Sequence, residues 1–124
     1  MKKIILTFLL LFIGFVAFAQ TPEEKAEFMT AQINTLLPNL EPFQKATIKM
    51  GTMRYFKREA EINNSIEGIQ ITQAELNEKI IPRRAKIKEV YTTRMKDRLT
   101  PQQYALFMQN IESFLTNVRN EFGE

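Results

Sequence analysis

The stretch RLTPQQYALF, Arg98 to Phe107, decides how the chain divides into elements. Thr100 is placed to cap a helix, Pro101 to occupy its first position, and Gln103 to return a hydrogen bond to the capping residue's amide. Leu99 and Tyr104 stand at the two positions of a hydrophobic staple. From there Tyr104, Met108, Ile111, Leu115, Val118 and Phe122 recur in alternating steps of four and three, with Phe107 and Phe114 widening the stripe. Gly123 then ends the helix. A weaker echo of the same start, Leu40-Glu41-Pro42-Phe43-Gln44, lies in the first half of the chain.

Working upstream, Ile71-Thr72-Gln73-Ala74-Glu75-Leu76 repeats this arrangement: a capping threonine, a glutamate three residues on, and a staple of Ile71 with Leu76. Leu76, Ile80, Ile87 and Tyr91 carry an apolar stripe to about Arg98. Pro82 has no amide hydrogen and is expected to kink or break this third helix. Asn63-Asn64-Ser65 and Gly68 mark the loop before it. The second helix opens at Pro42, with Gln44 placed to reach back to the amide of Glu41, and runs to about Ile62. Thr21-Pro22-Glu23-Glu24 opens a short first helix, whose Ala26, Met29, Ile33, Leu36 and Leu37 keep helical spacing until Pro38-Asn39. No segment alternates with a period of two over strand length, so the expected fold is all-α, with four helices and no sheet.

Counted at 100° per residue, the second helix is apolar on two sides. Ala46, Met50, Met53 and Ala60 share one face, and Ile48, Tyr55 and Ile62 the opposite one. A helix of that kind needs two covers. The core is expected to take Met50 and Met53, and a second copy of the chain is expected on Ile48, Tyr55 and Ile62.

The first nineteen residues are of another kind. Lys2-Lys3, an apolar run from Ile4 to Ala19 and a closing Ala17-Phe18-Ala19 have the form of a secretory signal peptide with its cleavage site. The alternative is an uncleaved anchor, but the run is shorter than the roughly 20 apolar residues that span a bilayer. The expected mature protein, 20–124, is then a single domain in the cell envelope or outside the cell. Removing Lys2 and Lys3 from a formal net charge of +3 leaves little overall bias. The local distribution is more telling. Lys45 to Arg58 holds five basic residues and no acid, and Lys79 to Arg98 holds eight against Glu89 and Asp97.

The chain contains no histidine and no cysteine. Disulfides, thiol chemistry, nucleophilic triads built on histidine and the usual zinc sites therefore each lack a required residue type. Glu23, Glu24 and Glu27, like Glu59 and Glu61, lack the spacing of a calcium loop and read as solvated faces and helix-start charges. Met50 and Met53 could offer thioethers to copper(I), though core packing is the better reading. No cofactor, no metal and no enzymatic activity are expected. On the third helix, Lys79, Arg83 and Lys86 flank the apolar stripe on one side and Arg84 and Lys88 on the other. That is either an ordinary solvated face or a surface for acidic or amphipathic partners. Nucleic acid is not expected, because aromatic residues are not interleaved as stacking platforms. Stable membrane insertion after cleavage is not expected either, since the core needs the apolar faces.

Leu99-Thr100-Pro101-Gln102-Gln103 matches a Leu-Thr-x-x-Gln motif in full, and Leu40-Glu41-Pro42-Phe43-Gln44 matches it at Leu40 and Gln44. With the order of the helices, these motifs make the chain resemble the Spy/CpxP group of periplasmic proteins. The resemblance implies a long bent four-helix hairpin that dimerises into a thin curved cradle with a basic, partly apolar concave side. It also implies an ATP-independent chaperone for unfolded or partly folded proteins, or else a regulatory protein that binds the sensor domain of an envelope-stress system. Metal-sensing relatives use histidines that this chain does not have. The residues expected to contact clients are Arg54, Arg58, Arg83, Lys86 and Lys88, with Phe56 and Tyr91 as apolar contacts.

Overall fold

Among the described residues, three threonines start three of the four helices. The computed structural model describes residues 21–66 and 69–123, so the expected signal segment 1–19 and its Ala17-Phe18-Ala19 site lie outside the described residues. Helix α1, Pro22–Leu36, begins where the Thr21 hydroxyl accepts from the Glu24 amide at 3.2 Å. Helix α3, residues 73–98, begins the same way, with the Thr72 hydroxyl accepting from the Glu75 amide at 3.1 Å. Helix α4, Pro101–Phe122, has the full capping box, Thr100 and Gln103 each bonding the other's backbone amide. It ends at Gly123, whose φ of 80° is a left-handed conformation that only glycine adopts without strain.

Helix α2, Pro42–Ile66, keeps half of that device. Its Gln44 side chain accepts from the Glu41 amide at 3.0 Å, as the spacing predicts. Asn39, with φ of 58°, turns the chain between α1 and α2. Among the described residues there is no strand, and the fold is all-α with four helices.

Helix α3 is not broken at Pro82. It runs through Gln73–Glu75, a π-helical turn at Leu76–Ile80, and Ile81–Arg98. The Ile81 amide bonds the Leu76 carbonyl, five residues back. The proline ring would clash with the carbonyl four residues before it in a regular α-helix. The wider turn sits immediately before Pro82 and lets the helix continue through it.

Helix α1 lies against α2 and α4, and α2 lies against α3. The fully buried side chains are led by Met29 and Ile33 of α1, Ile48, Thr52 and Ile62 of α2, Met95 of α3 and Phe107 of α4. An aromatic chain crosses the core from Tyr55 to Tyr91 (5.0 Å between ring centroids), on to Phe107 edge-on (5.7 Å), and then to Phe114 (6.4 Å). Such offset and edge-to-face pairs contribute beyond simple area burial. A Cβ built on Gly51 would lie 3.0 Å from the Met95 methyl, so the missing side chain lets α2 and α3 approach closely there. Next to it the Thr52 and Tyr91 hydroxyls share a buried hydrogen bond of 2.7 Å, which satisfies both.

These placements correct several expectations. The α2 face carrying Ile48, Tyr55 and Ile62 is the one the core covers within a single chain, so it is not left for a second copy. The opposite face is the open one, with Met50 58% exposed and only Met53 packed at the edge of the core. Met108 is likewise outside the buried stripe of α4, which centres on Phe107, Ile111, Phe114 and Val118.

Burial raises the pKa of both Tyr55 and Tyr91 well above the ordinary tyrosine value, and for Tyr55 the neighbouring Glu59 carboxylate adds to the effect. Both phenols are thus held neutral in the folded state, while in the unfolded chain they ionise near pH 10. Their stabilising contribution is full below that pH and is lost as pH climbs above it toward the folded-state values. The urea midpoint is therefore expected to fall steadily above about pH 10. Tyr91→Phe should flatten that fall; an unchanged slope would detach it from the buried phenol.

Candidate functional site: a basic groove between the two long helices

Two features draw on the residues singled out by the sequence. The first is the junction of the two motifs, which is structural. Gln103 is 3% exposed, and its four hydrogen-bonding positions are all filled. Its Oε1 accepts from the Thr100 amide (2.9 Å) and from Gln44 Nε2 (2.9 Å). Its Nε2 donates to the Pro38 carbonyl (2.8 Å) and, more weakly, to that of Asn39 (3.4 Å). Gln44 reciprocates by donating to the Arg98 carbonyl at 3.2 Å. Each motif glutamine thus caps its own helix and ties down the chain entering the other one. Leu99 is buried beneath this clamp, and Leu40 packs at the edge of the core.

The second feature is a groove of about 510 Å³ where α2 and α3 run side by side. From α2 it is lined by Thr47, Met50, Gly51 and Arg54, which share one helical face, and from α3 by Arg94, Met95, Asp97 and Arg98. The close approach at Gly51 forms its floor. Three guanidinium groups therefore share one groove with a single carboxylate. Among the described residues none of Arg54, Arg94 and Arg98 makes an ion pair. The Arg98 guanidinium instead lies 5.6 Å from the Phe43 ring centre, a cation–π contact that holds it at the groove's end. Phe43 is itself 62% exposed, so charge and apolar surface are presented together.

Of the residues expected to contact clients, Arg54 lines this groove and Arg58 lies one turn further along the exposed surface of α2. Arg83 and Lys86 are exposed on α3, Lys86 beside Glu89 at 3.8 Å. Lys88 is turned the other way and pairs with Glu112 of α4. Phe56 and Tyr91 are corrected outright: both are buried in the core and neither lines this groove. The sequence reading missed Phe43, Arg94 and Arg98. Their signal was Arg94 and Arg98 one turn apart on α3, with Arg94 eleven residues, three turns, beyond Arg83.

Among the described residues no group of three or more acidic side chains could hold a metal ion, and no helix is long and apolar enough to cross a membrane. Comparison of the chain with protein-family models, with curated proteins and with solved structures finds no match.

Proposed function

We propose that the protein is an exported, ATP-independent chaperone-like member of the Spy/CpxP group that holds unfolded or partly folded proteins in the periplasm. The observation that carries this reading is the α2–α3 groove, where Arg54, Arg94 and Arg98, without an ion pair among the described residues, stand beside exposed Met50 and Phe43. Unfolded segments offer both carboxylates and apolar side chains. Charge speeds their capture over distance, and shallow apolar contact leaves them free to fold and depart. The proposed activity is binding and involves no catalysis. The homodimer in this proposal draws its contacts from apolar side chains that remain exposed, because Ile48, Tyr55 and Ile62 belong to the core of each chain.

The test is light scattering from a chemically unfolded client diluted into the mature protein, without ATP, at low and high salt. Suppression near equal stoichiometry that fades with salt is expected, since exposed charges are screened within about 10 Å at 0.1 M ionic strength. The double reversal Arg54→Glu with Arg94→Glu is expected to abolish most of the suppression while leaving helicity unchanged. Absence of suppression at either salt would sink general holding and point to one dedicated partner, such as an envelope sensor domain.

A further inference from the structure

A second cavity, of about 630 Å³, opens on another part of the molecule, and residues from all four helices line it. Its apolar wall is made by the rings of Tyr55 and Phe56 from α2 and by Leu115 and Val118 from α4. Its polar rim is made by Lys25 of α1, Glu59 of α2, Arg84 of α3 and Arg119 of α4. The volume falls within the range of small-molecule sites, which combine an apolar body with a few convergent polar groups.

The rim charges are not equivalent. Arg84 is committed within the chain, lying 3.6 Å from the Glu59 carboxylate and donating to the Asn63 side-chain oxygen. Glu59 is the less exposed partner of that pair, so the one acid among the described residues lining the cavity already has a cation beside it. Lys25 and Arg119 make no ion pair among the described residues; Arg119 donates only to the Thr116 hydroxyl. Two cations with no ion pair among the described residues therefore stand at the mouth of a cavity whose wall is aromatic and aliphatic. Water serves the cations but not the wall, whereas an anionic head with an apolar tail complements both.

We infer that this cavity is a binding site for a single-chain anionic amphiphile, its head held between Lys25 and Arg119 and its tail laid against Tyr55, Phe56, Leu115 and Val118. This site is separate from the arginine groove between α2 and α3, and the inference does not depend on holding activity.

Decanoate, decanol and acetate distinguish head from tail, and vesicles containing phosphatidylglycerol distinguish a free amphiphile from a membrane lipid. Each is titrated into the isotope-labelled full mature chain and followed by amide NMR shifts. The expected result is saturable binding of decanoate, with shifts centred on Tyr55, Phe56 and Leu115, and much weaker binding of decanol and acetate. Lys25→Gln with Arg119→Gln, both at the rim, should weaken decanoate binding by roughly tenfold or more, since each removes a charge-assisted hydrogen bond. Arg54→Gln with Arg94→Gln should leave it unchanged. No saturable binding, equal binding of decanol, or undiminished binding by the Lys25/Arg119 variant would overturn the site. Binding to vesicles without binding of free decanoate would overturn it as well.

Discussion

Gln103→Leu is expected to lower the free energy of unfolding by about 3 kcal/mol, well beyond the loss of one helix cap. The side chain is close in size to leucine, so the cost is one of stranded partners rather than of volume. The Thr100 amide, the Gln44 side-chain amide and the Pro38 carbonyl all lose their bond at once. A buried group left unpaired costs about 1–3 kcal/mol, and those at the clamp's edge recover part of this from water. Thr100→Ala is the control, since it removes one capping acceptor and should cost about 1 kcal/mol. Gln103→Glu should fall between them, keeping the two accepted bonds while turning an anionic oxygen toward the Pro38 carbonyl. Urea unfolding followed by circular dichroism measures all three. A Gln103→Leu loss no larger than that of Thr100→Ala would show that the cross-ties to Pro38 and Gln44 add nothing.

Phe107→Ala is expected to cost about 3–5 kcal/mol, the usual penalty for emptying a fully buried phenylalanine site. Phe107 is completely buried and is the middle ring between Tyr91 and Phe114. Its removal leaves a void walled by two aromatic rings and by side chains fixed on helices, which cannot readily close in. Against a typical domain stability of about 5–15 kcal/mol, that loss approaches the whole margin. Phe107→Leu, which refills most of the space, should recover more than half of it. Thermal melts of the two variants make the comparison. A Phe107→Ala melt close to that of the parent would place the core elsewhere.

The start of every helix was legible because capping is local chemistry: Thr21, Thr72 and Thr100, and the reach of Gln44 to Glu41, involve residues three apart in sequence. The end at Gly123 was legible for the same reason. What the core covers was not. Helix α2 carries two apolar stripes, and periodicity cannot say which one faces inward. The deciding groups are Gly51, which lets α3 approach, and Thr52, whose hydroxyl meets Tyr91. Neither is hydrophobic, so neither stood out. Phe56 stands between Arg54 and Arg58 in sequence, but on a helix successive residues point about 100° apart, and the core takes its ring as it takes that of Tyr91. The arginine groove was half visible for a similar reason. Arg54 stood within a basic run, but its companions Arg94 and Arg98 come from another helix.

The clamp between Gln44 and Gln103 has a kinetic consequence. Its bonds join residues 54 to 65 positions apart, in a protein whose other hydrogen bonds are largely between neighbours along a helix. Helical turns form in microseconds or less, whereas a contact of this span must wait until a long loop has closed. The clamp is therefore expected to set late, after the helices it joins have formed, with the barrier to folding crossed largely without it. Its energy is then spent on the return journey. Loss of these cross-ties should shorten the lifetime of the native state by hastening unfolding, with the rate of folding little changed.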